Sequence, residues 1–349
     1  MASACLAWTG RRSLKMDFND LTFPLLIPSF SSKGNLFIRN DKEGTYTSDN
    51  YSLLEELGVR VSKCYLISAY DIYYGFMPTN PEALPYTEFL FVDSGGYEIS
   101  DGYDLSERNK FNYKVMPWDI DKMLSVYSSI MSCDNFENST VVLTSYDSFC
   151  PVKEQIAKAI DQQNAFPDAT IDFLIKFPEK TNFNDLIKDL KANIEMMNGI
   201  HIVGISEKDL GHTISLRLKN LITFKELLYA GGWDGYIHVF GGLEPTLSQL
   251  YYLFGADIVD GLSWQKFRYS NNTTLYDSFN YFINLNEYEN KMLMICENLS
   301  FLANMSLDLS FLSEARMKLP SILRAYDMDG ELTAGELLEK VKDLLTKVK

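Results

Sequence analysis

The sequence predicts an α/β protein: a (β/α)8 barrel with a helical C-terminal extension. Three observations carry this. Eight apolar runs of strand length recur between residues 16 and 270. Most are followed by a stretch whose apolar residues return at helical spacing, the alternation of parallel α/β architectures. Three of the runs lead into an aspartate, as expected where strand ends line one functional rim. A doubly wound open sheet offers the same alternation without closure, and the count of eight favours the barrel.

The first strand is placed at residues 25–30. A polar loop and a short helix near residues 51–57 lead to the second, residues 64–70. The third, 89–92, runs into Asp93-Ser94-Gly95-Gly96-Tyr97-Glu98. Residues 116–131 have helical spacing, with Pro117 suited to a first turn. The fourth strand, 141–145, runs into Tyr146-Asp147, after which Val152, Ile156, Ala159 and Ile160 mark a helix face. The fifth strand is 171–177, and the helix after it carries Leu186, Leu190, Ile194 and Met197. The sixth is 200–205, followed by a helix over about residues 213–230. The seventh, 236–240, is broken by Gly241-Gly242, where the backbone must turn sharply or approach a ligand closely. Glu244-Pro245-Thr246 opens the next helix, Gly255 ends it, and the eighth strand, 256–259, leads into Asp260.

Past Ser270 the strand signal largely stops and residues 271–349 read as a helical extension. The last helix opens on a capping box, Thr333-Ala334-Gly335-Glu336, and shows Leu337, Leu338, Val341, Leu344, Leu345 and Val348 on one face. That tail is expected to pack on the barrel or on a partner. Residues 1–15 read as a poorly ordered leader, which sets the barrel at 16–270.

Composition narrows the function classes. With 46% hydrophobic and 13% aromatic residues, 349 residues bury a full core. A net charge of −15 and a pI near 4.7 disfavour a generic polyanion binder but leave room for a local basic groove. Cys5, Cys64, Cys133, Cys150 and Cys296 are scattered without C-x-x-C spacing. That pattern indicates neither a disulfide framework nor a zinc site, and a reducing cytoplasm is expected. No apolar run reaches transmembrane length, and the apolar part of the start is too short for a signal peptide.

The residues that could carry chemistry are the strand-end carboxylates Asp93, Asp147 and Asp260, with Gly95-Gly96, Gly241-Gly242 and Gly261 nearby. Carboxylates beside backbone that approaches a flat ligand suit a site gripping a polar heterocycle. Any one of them alone reads equally as a helix cap or a strand end.

Asp93-Ser94-Gly95-Gly96-Tyr97 resembles the D-S-G-G-F motif of tRNA-guanine transglycosylases. Residues 236–260 resemble that family's closing segment, a glycine turn with Pro followed by G-x-D-x-F-D. The resemblance spans about residues 23–270. The form H-V-F-G-G-L-E-P with G-A-D-I-V-D-G-L-S-W is similar to the bacterial branch that places 7-deazaguanine (preQ0-like) bases in DNA, found in DNA-modification and phage-defence clusters. The resemblance implies that Asp260 is the nucleophile on C1′ and Asp93 the general acid/base. It implies that Asp147 reads the N–H edge of a guanine-like ring, and that Gly204 and Ile205, at the sixth strand's end, read the base through main-chain groups. Ser94, Gly95, Gly96, Tyr97, His238, Gly241 and Gly242 complete the implied substrate site.

Lys176 departs from the pattern, standing roughly where many members have a base-reading Gln. The family's C-x-C-x-x-C metal signature is absent, with Cys296 alone in the corresponding tail, so no metal or other cofactor is expected and apolar packing should hold the tail. His201 and His238 lie in strands and suit core or cavity-wall imidazoles; His212 suits the start of a helix. Trp264, Lys266 and Arg268 mix aromatic and basic character, as either a nucleic-acid rim or an amphipathic turn. The expected function is base exchange in DNA, with tRNA the alternative polymer and a partner protein expected to help engage DNA. Rival readings are a catalytically silent subunit and a hydrolase of free nucleosides.

Overall fold

The computed structural model describes residues 23–33, 37–40, 45–48, 50–100, 115–178, 181–270, 273–276, 285–313, 316 and 333–347. The leader expected over residues 1–15 lies outside them. The strands in chain order are β1 (Leu25–Phe30), β2 (Phe37–Asn40), β3 (Thr45–Ser48), β4 (Cys64–Ser68), β5 (Phe89–Asp93), β6 (Thr140–Thr144), β7 (Thr170–Leu174), β8 (Ile202–Ser206), β9 (Tyr236–Phe240), β10 (Ile258–Gly261), β11 (Phe267–Ser270) and β12 (Thr273–Tyr276). Eight of these close a parallel barrel in the order β1-β10-β9-β8-β7-β6-β5-β4, so the fold is the (β/α)8 barrel. The barrel strands are apolar almost throughout, and β4 and β7 are buried along their whole length. Burial on both faces is what a parallel sheet covered by crossovers requires.

Several boundaries differ from those expected. The second strand stops at Ser68, and Ala69–Tyr73 is helical. The eighth is Ile258–Gly261, so Asp260 lies within the strand instead of after it. The helix expected from residue 116 begins at Ile120, because the Asp119 side chain accepts the Lys122 N–H at 3.0 Å and fixes the first turn there. Pro117 therefore precedes the helix. Strand signal also continues past Ser270: β11 and β12 form an antiparallel hairpin across the expected boundary at 270.

The chain divides into two compact units, with divisions inside β1, after Asp147, after Ala157 and inside β7. The first includes Pro28–Asp147 and Lys158–Asp172, hence β4, β5 and β6. Their register places Ser68 beside Asp93. The helix Ile120–Met131 buries Met123, Val126, Tyr127 and Ile130.

The second unit includes Ser148–Ala157 and everything described after Phe173, hence β8, β9 and β10. Here His238 of β9 lies between Gly204 of β8 and Ile258 of β10. Glu244 caps the helix Pro245–Phe254, accepting the Thr246 and Leu247 N–H groups, with Pro245 at its first turn. The C-terminal helix Glu287–Ser310 buries Met294, Ile295, Leu299, Leu302, Met305 and Leu309. Apolar packing, expected to hold this tail, is only part of its attachment. Asn298 donates to the Trp264 and Phe267 carbonyls, both at 2.7 Å, and accepts the Tyr269 N–H at 2.8 Å. Arg316 adds a buried ion pair with Asp257 at 2.8 Å. The capping box of Thr333 and Glu336 forms, and Leu337, Leu338 and Val341 are buried. Among the described residues no helix is long and apolar enough to cross a membrane.

Candidate active site

In the first unit, β5 delivers Asp93 and the chain turns through Ser94 and Gly95 into the short helix Gly96–Ile99. The Gly95 N–H donates to Asp93 Oδ2 at 3.2 Å. Gly95 has φ +91°, and a Cβ there would lie 2.8 Å from Trp118 Nε1 and 2.9 Å from Tyr70 Cβ. Only glycine tolerates both the dihedral and the crowding. A Cβ at Gly96 would run into the Asp147 carboxylate. Asp147, in the loop after β6, also accepts the Ser94 hydroxyl at 2.9 Å. The aspartates that follow two adjacent strands therefore share one turn. Behind them, the Tyr127 hydroxyl donates to the Thr144 carbonyl at 2.7 Å. Its phenol is pushed well up, by burial first and then by Asp93, Asp147 and Asp172. Asp172, buried within β7, is a carboxylate that no strand-end pattern marks.

A second layer supports this turn, and almost none of it is legible in local sequence. Glu98 is buried and accepts the hydroxyls of Ser31 and of Ser68, the latter at 2.8 Å. Asp71, also buried, accepts the Ser32 N–H at 2.7 Å and the Ser32 hydroxyl. Burial pushes both carboxyls up, and for Asp71 the Glu98 charge adds to it. Lys33 Nζ donates to the Tyr97 and Ser100 carbonyls at 2.8 and 2.6 Å and lies 4.8 Å from the Tyr97 ring centroid. Thus Tyr97 faces a buried ammonium, and Tyr97 and Glu98, which end the D-S-G-G-Y-E stretch, tie this layer to the motif.

In the second unit, β10 carries Asp260, which is 6% exposed. Its Oδ1 accepts the Gly241 N–H at 2.9 Å and lies 3.4 Å from His238 Nε2. The His238 ring stacks on Phe240 with centroids 3.8 Å apart. The Asp260 carbonyl accepts the Leu243 N–H at 2.9 Å, so the glycine turn after β9 is stitched to β10. Asp260, His238, Gly241 and Gly242 are accordingly one group. One oxygen of the Asp260 carboxylate is thus held by a main-chain N–H and faces an imidazole.

The remaining expected site residues are placed less directly. Lys176 follows β7, and its main-chain N–H and C=O are both held by the buried amide of Gln155, at 2.9 and 2.8 Å. Gly204 and Ile205 lie inside β8, and the Gly204 carbonyl accepts the Ile175 N–H at 2.9 Å as part of the ladder. Trp264 is 0% exposed, so it belongs to the core and not to a rim. Arg268 is ion-paired with Glu297 and Lys266 is half-buried. Among the described residues no three His, Cys, Asp or Glu side chains are grouped as metal ligands.

Compared with known proteins, the chain matches no family model and no curated protein.

Proposed function

We propose that this barrel is a base-exchange transglycosylase that replaces guanine with a 7-deazaguanine in DNA. The observation that carries the reading is a pair of strand-end carboxylates that each accept a main-chain N–H but keep different company, Asp260 beside an imidazole and Asp93 beside buried carboxyls. Asp260 attacks C1′ as the bond from C1′ to the base breaks, and Asp93 gives the departing guanine a proton. The sugar is then held as an aspartyl ester. The incoming 7-deazaguanine loses its ring N–H proton to Asp93, its nitrogen attacks C1′, and Asp260 is released. Two displacements at one carbon retain configuration, and no co-reactant is consumed. Asp147, fixed by Ser94 and crowded against Gly96, supplies an acceptor for the N–H edge of the base.

The test is an exchange assay with labelled guanine and labelled 7-deazaguanine on DNA and on tRNA. Incorporation into DNA supports the reading. Incorporation only into tRNA would move the substrate to the other polymer. Incorporation into neither would end the enzymatic reading.

A further inference from the structure

Five aromatic side chains of the first unit gather beside the Asp93 turn. Tyr70 and Tyr73 come from the helix Ala69–Tyr73, Tyr74 is its C-cap, Phe76 follows, and Trp118 precedes the helix Ile120–Met131. The Trp118 centroid lies 5.5, 5.8 and 6.3 Å from those of Tyr70, Tyr73 and Tyr74, and the Tyr73 and Tyr74 rings are 5.0 Å apart. The inner ring is fixed: Tyr70 is buried and its hydroxyl accepts the Met116 N–H at 2.8 Å. The outer rings reach the surface. Tyr73 is 42% exposed, and Tyr74 and Trp118 are half-buried. Contiguous aromatic surface on a folded protein marks a contact site, because these side chains have most to gain from cover.

The cluster is joined to the site already described. Trp118 Nε1 donates to the Ser94 carbonyl at 2.8 Å, and Trp118 and Tyr70 both crowd Gly95. The Tyr74 hydroxyl donates to the Pro117 carbonyl, which fixes that ring's edge. The adjacent cation, Lys122, is engaged by Asp119, so the cluster offers aromatic surface more than charge.

We propose that Tyr73, Tyr74 and Trp118 form a stacking subsite for the unpaired base next to the one that enters at Asp93. The choice of a nucleobase as ligand rests on the transglycosylase reading. Flat, preformed rings take flat ligands, and every base has a face to stack, so the subsite is tolerant of sequence. Stacking also suits a chain of net charge −15, in which 47 acidic side chains outnumber 32 basic ones.

The experiment titrates the full chain with a short single-stranded deoxyoligonucleotide and with an abasic strand of equal length, across a salt series. The strand with bases is expected to bind about tenfold tighter or more, since stacking is lost one base at a time. Tyr73→Ala should remove about tenfold of that preference, leave binding of the abasic strand and the salt slope unchanged, and be rescued by Tyr73→Phe. Trp118→Ala should act the same way; if it fails to fold, the exposed Tyr73 decides the matter alone. Equal affinity for the two strands, no binding of either, or an unaltered preference in Tyr73→Ala overturns the subsite. Base exchange measured on the same preparations separates the two ideas. A parent chain that stacks the strand but exchanges no base loses the enzymatic reading and keeps the subsite. An active parent whose Tyr73→Ala variant binds normally loses only the subsite.

Discussion

The surroundings of Asp93 and of Asp260 differ in kind. Around Asp93 the neighbours are the Gly95 N–H and, beyond it, other carboxyls. Asp71 and Glu98 are buried with serine hydroxyls as donors, Asp147 touches the same turn, and Asp172 joins Asp93 and Asp147 around Tyr127. Around Asp260 the neighbours are a main-chain N–H and an imidazole. Crowded acid groups in low dielectric favour sharing protons, and no second carboxyl is described beside Asp260. One surrounding suits an acid that gives and takes a proton, and the other suits a nucleophile. Enzymes separate two carboxyl roles by environment in this way.

The contrast is most exposed at Asp260. Asp260→Ala is expected to abolish exchange and to leave no protein–nucleic acid adduct on a denaturing gel; near-normal turnover would remove it as nucleophile. Asp93→Asn should fold and lose about 10²–10⁴-fold in rate, the worth of general acid–base help. A loss below about tenfold would reduce Asp93 to a binding group, and the contrast between the two aspartates would collapse.

The next test separates the turn from its acid. Gly96→Ala places a methyl group against the Asp147 carboxylate and must push it off the Ser94 hydroxyl. Overpacking of this kind costs about 1–3 kcal/mol in stability, read from denaturant unfolding. In kinetics it should raise KM for the incoming base more than it lowers kcat. The reverse split would show that the turn serves the chemical step and not recognition.

A smaller effect is expected from the buried carboxyl layer. Asp71 and Glu98 both have raised folded values, so their contribution to stability is fully present below the ordinary carboxylate range, near ~4, and is lost as pH rises through the raised values. Asp71→Asn keeps an acceptor for the Ser32 N–H and a donor for its hydroxyl, as the protonated acid would. The variant should therefore be less stable than the parent at low pH by no more than on the order of 1 kcal/mol. It should gain on the parent as pH rises toward neutrality, in paired thermal melts. A gap that stays constant with pH would show that Asp71 carries its charge in the folded protein.

The barrel and its strand ends are written in local sequence. Leu25, Phe89 and Tyr236 begin the strands expected to start there, Asp93 ends its strand and Asp260 lies one residue before the end of its own. Those features follow from apolar patterning and from glycine and proline punctuation, which act over a few residues. The company each aspartate keeps comes from tertiary structure alone. Ser31 meets Glu98 across 67 positions and Ser94 meets Asp147 across 53. Gln155 clamps Lys176 across 21, and Asn298 of a C-terminal helix takes up the carbonyl of Trp264, a residue whose basic neighbours in sequence suit a rim. Burial and hydrogen-bond partners depend on which distant segments the closed barrel brings side by side. No local pattern encodes that, because a serine, a glutamine or a tryptophan looks the same in sequence whether its partner is water or a carboxylate.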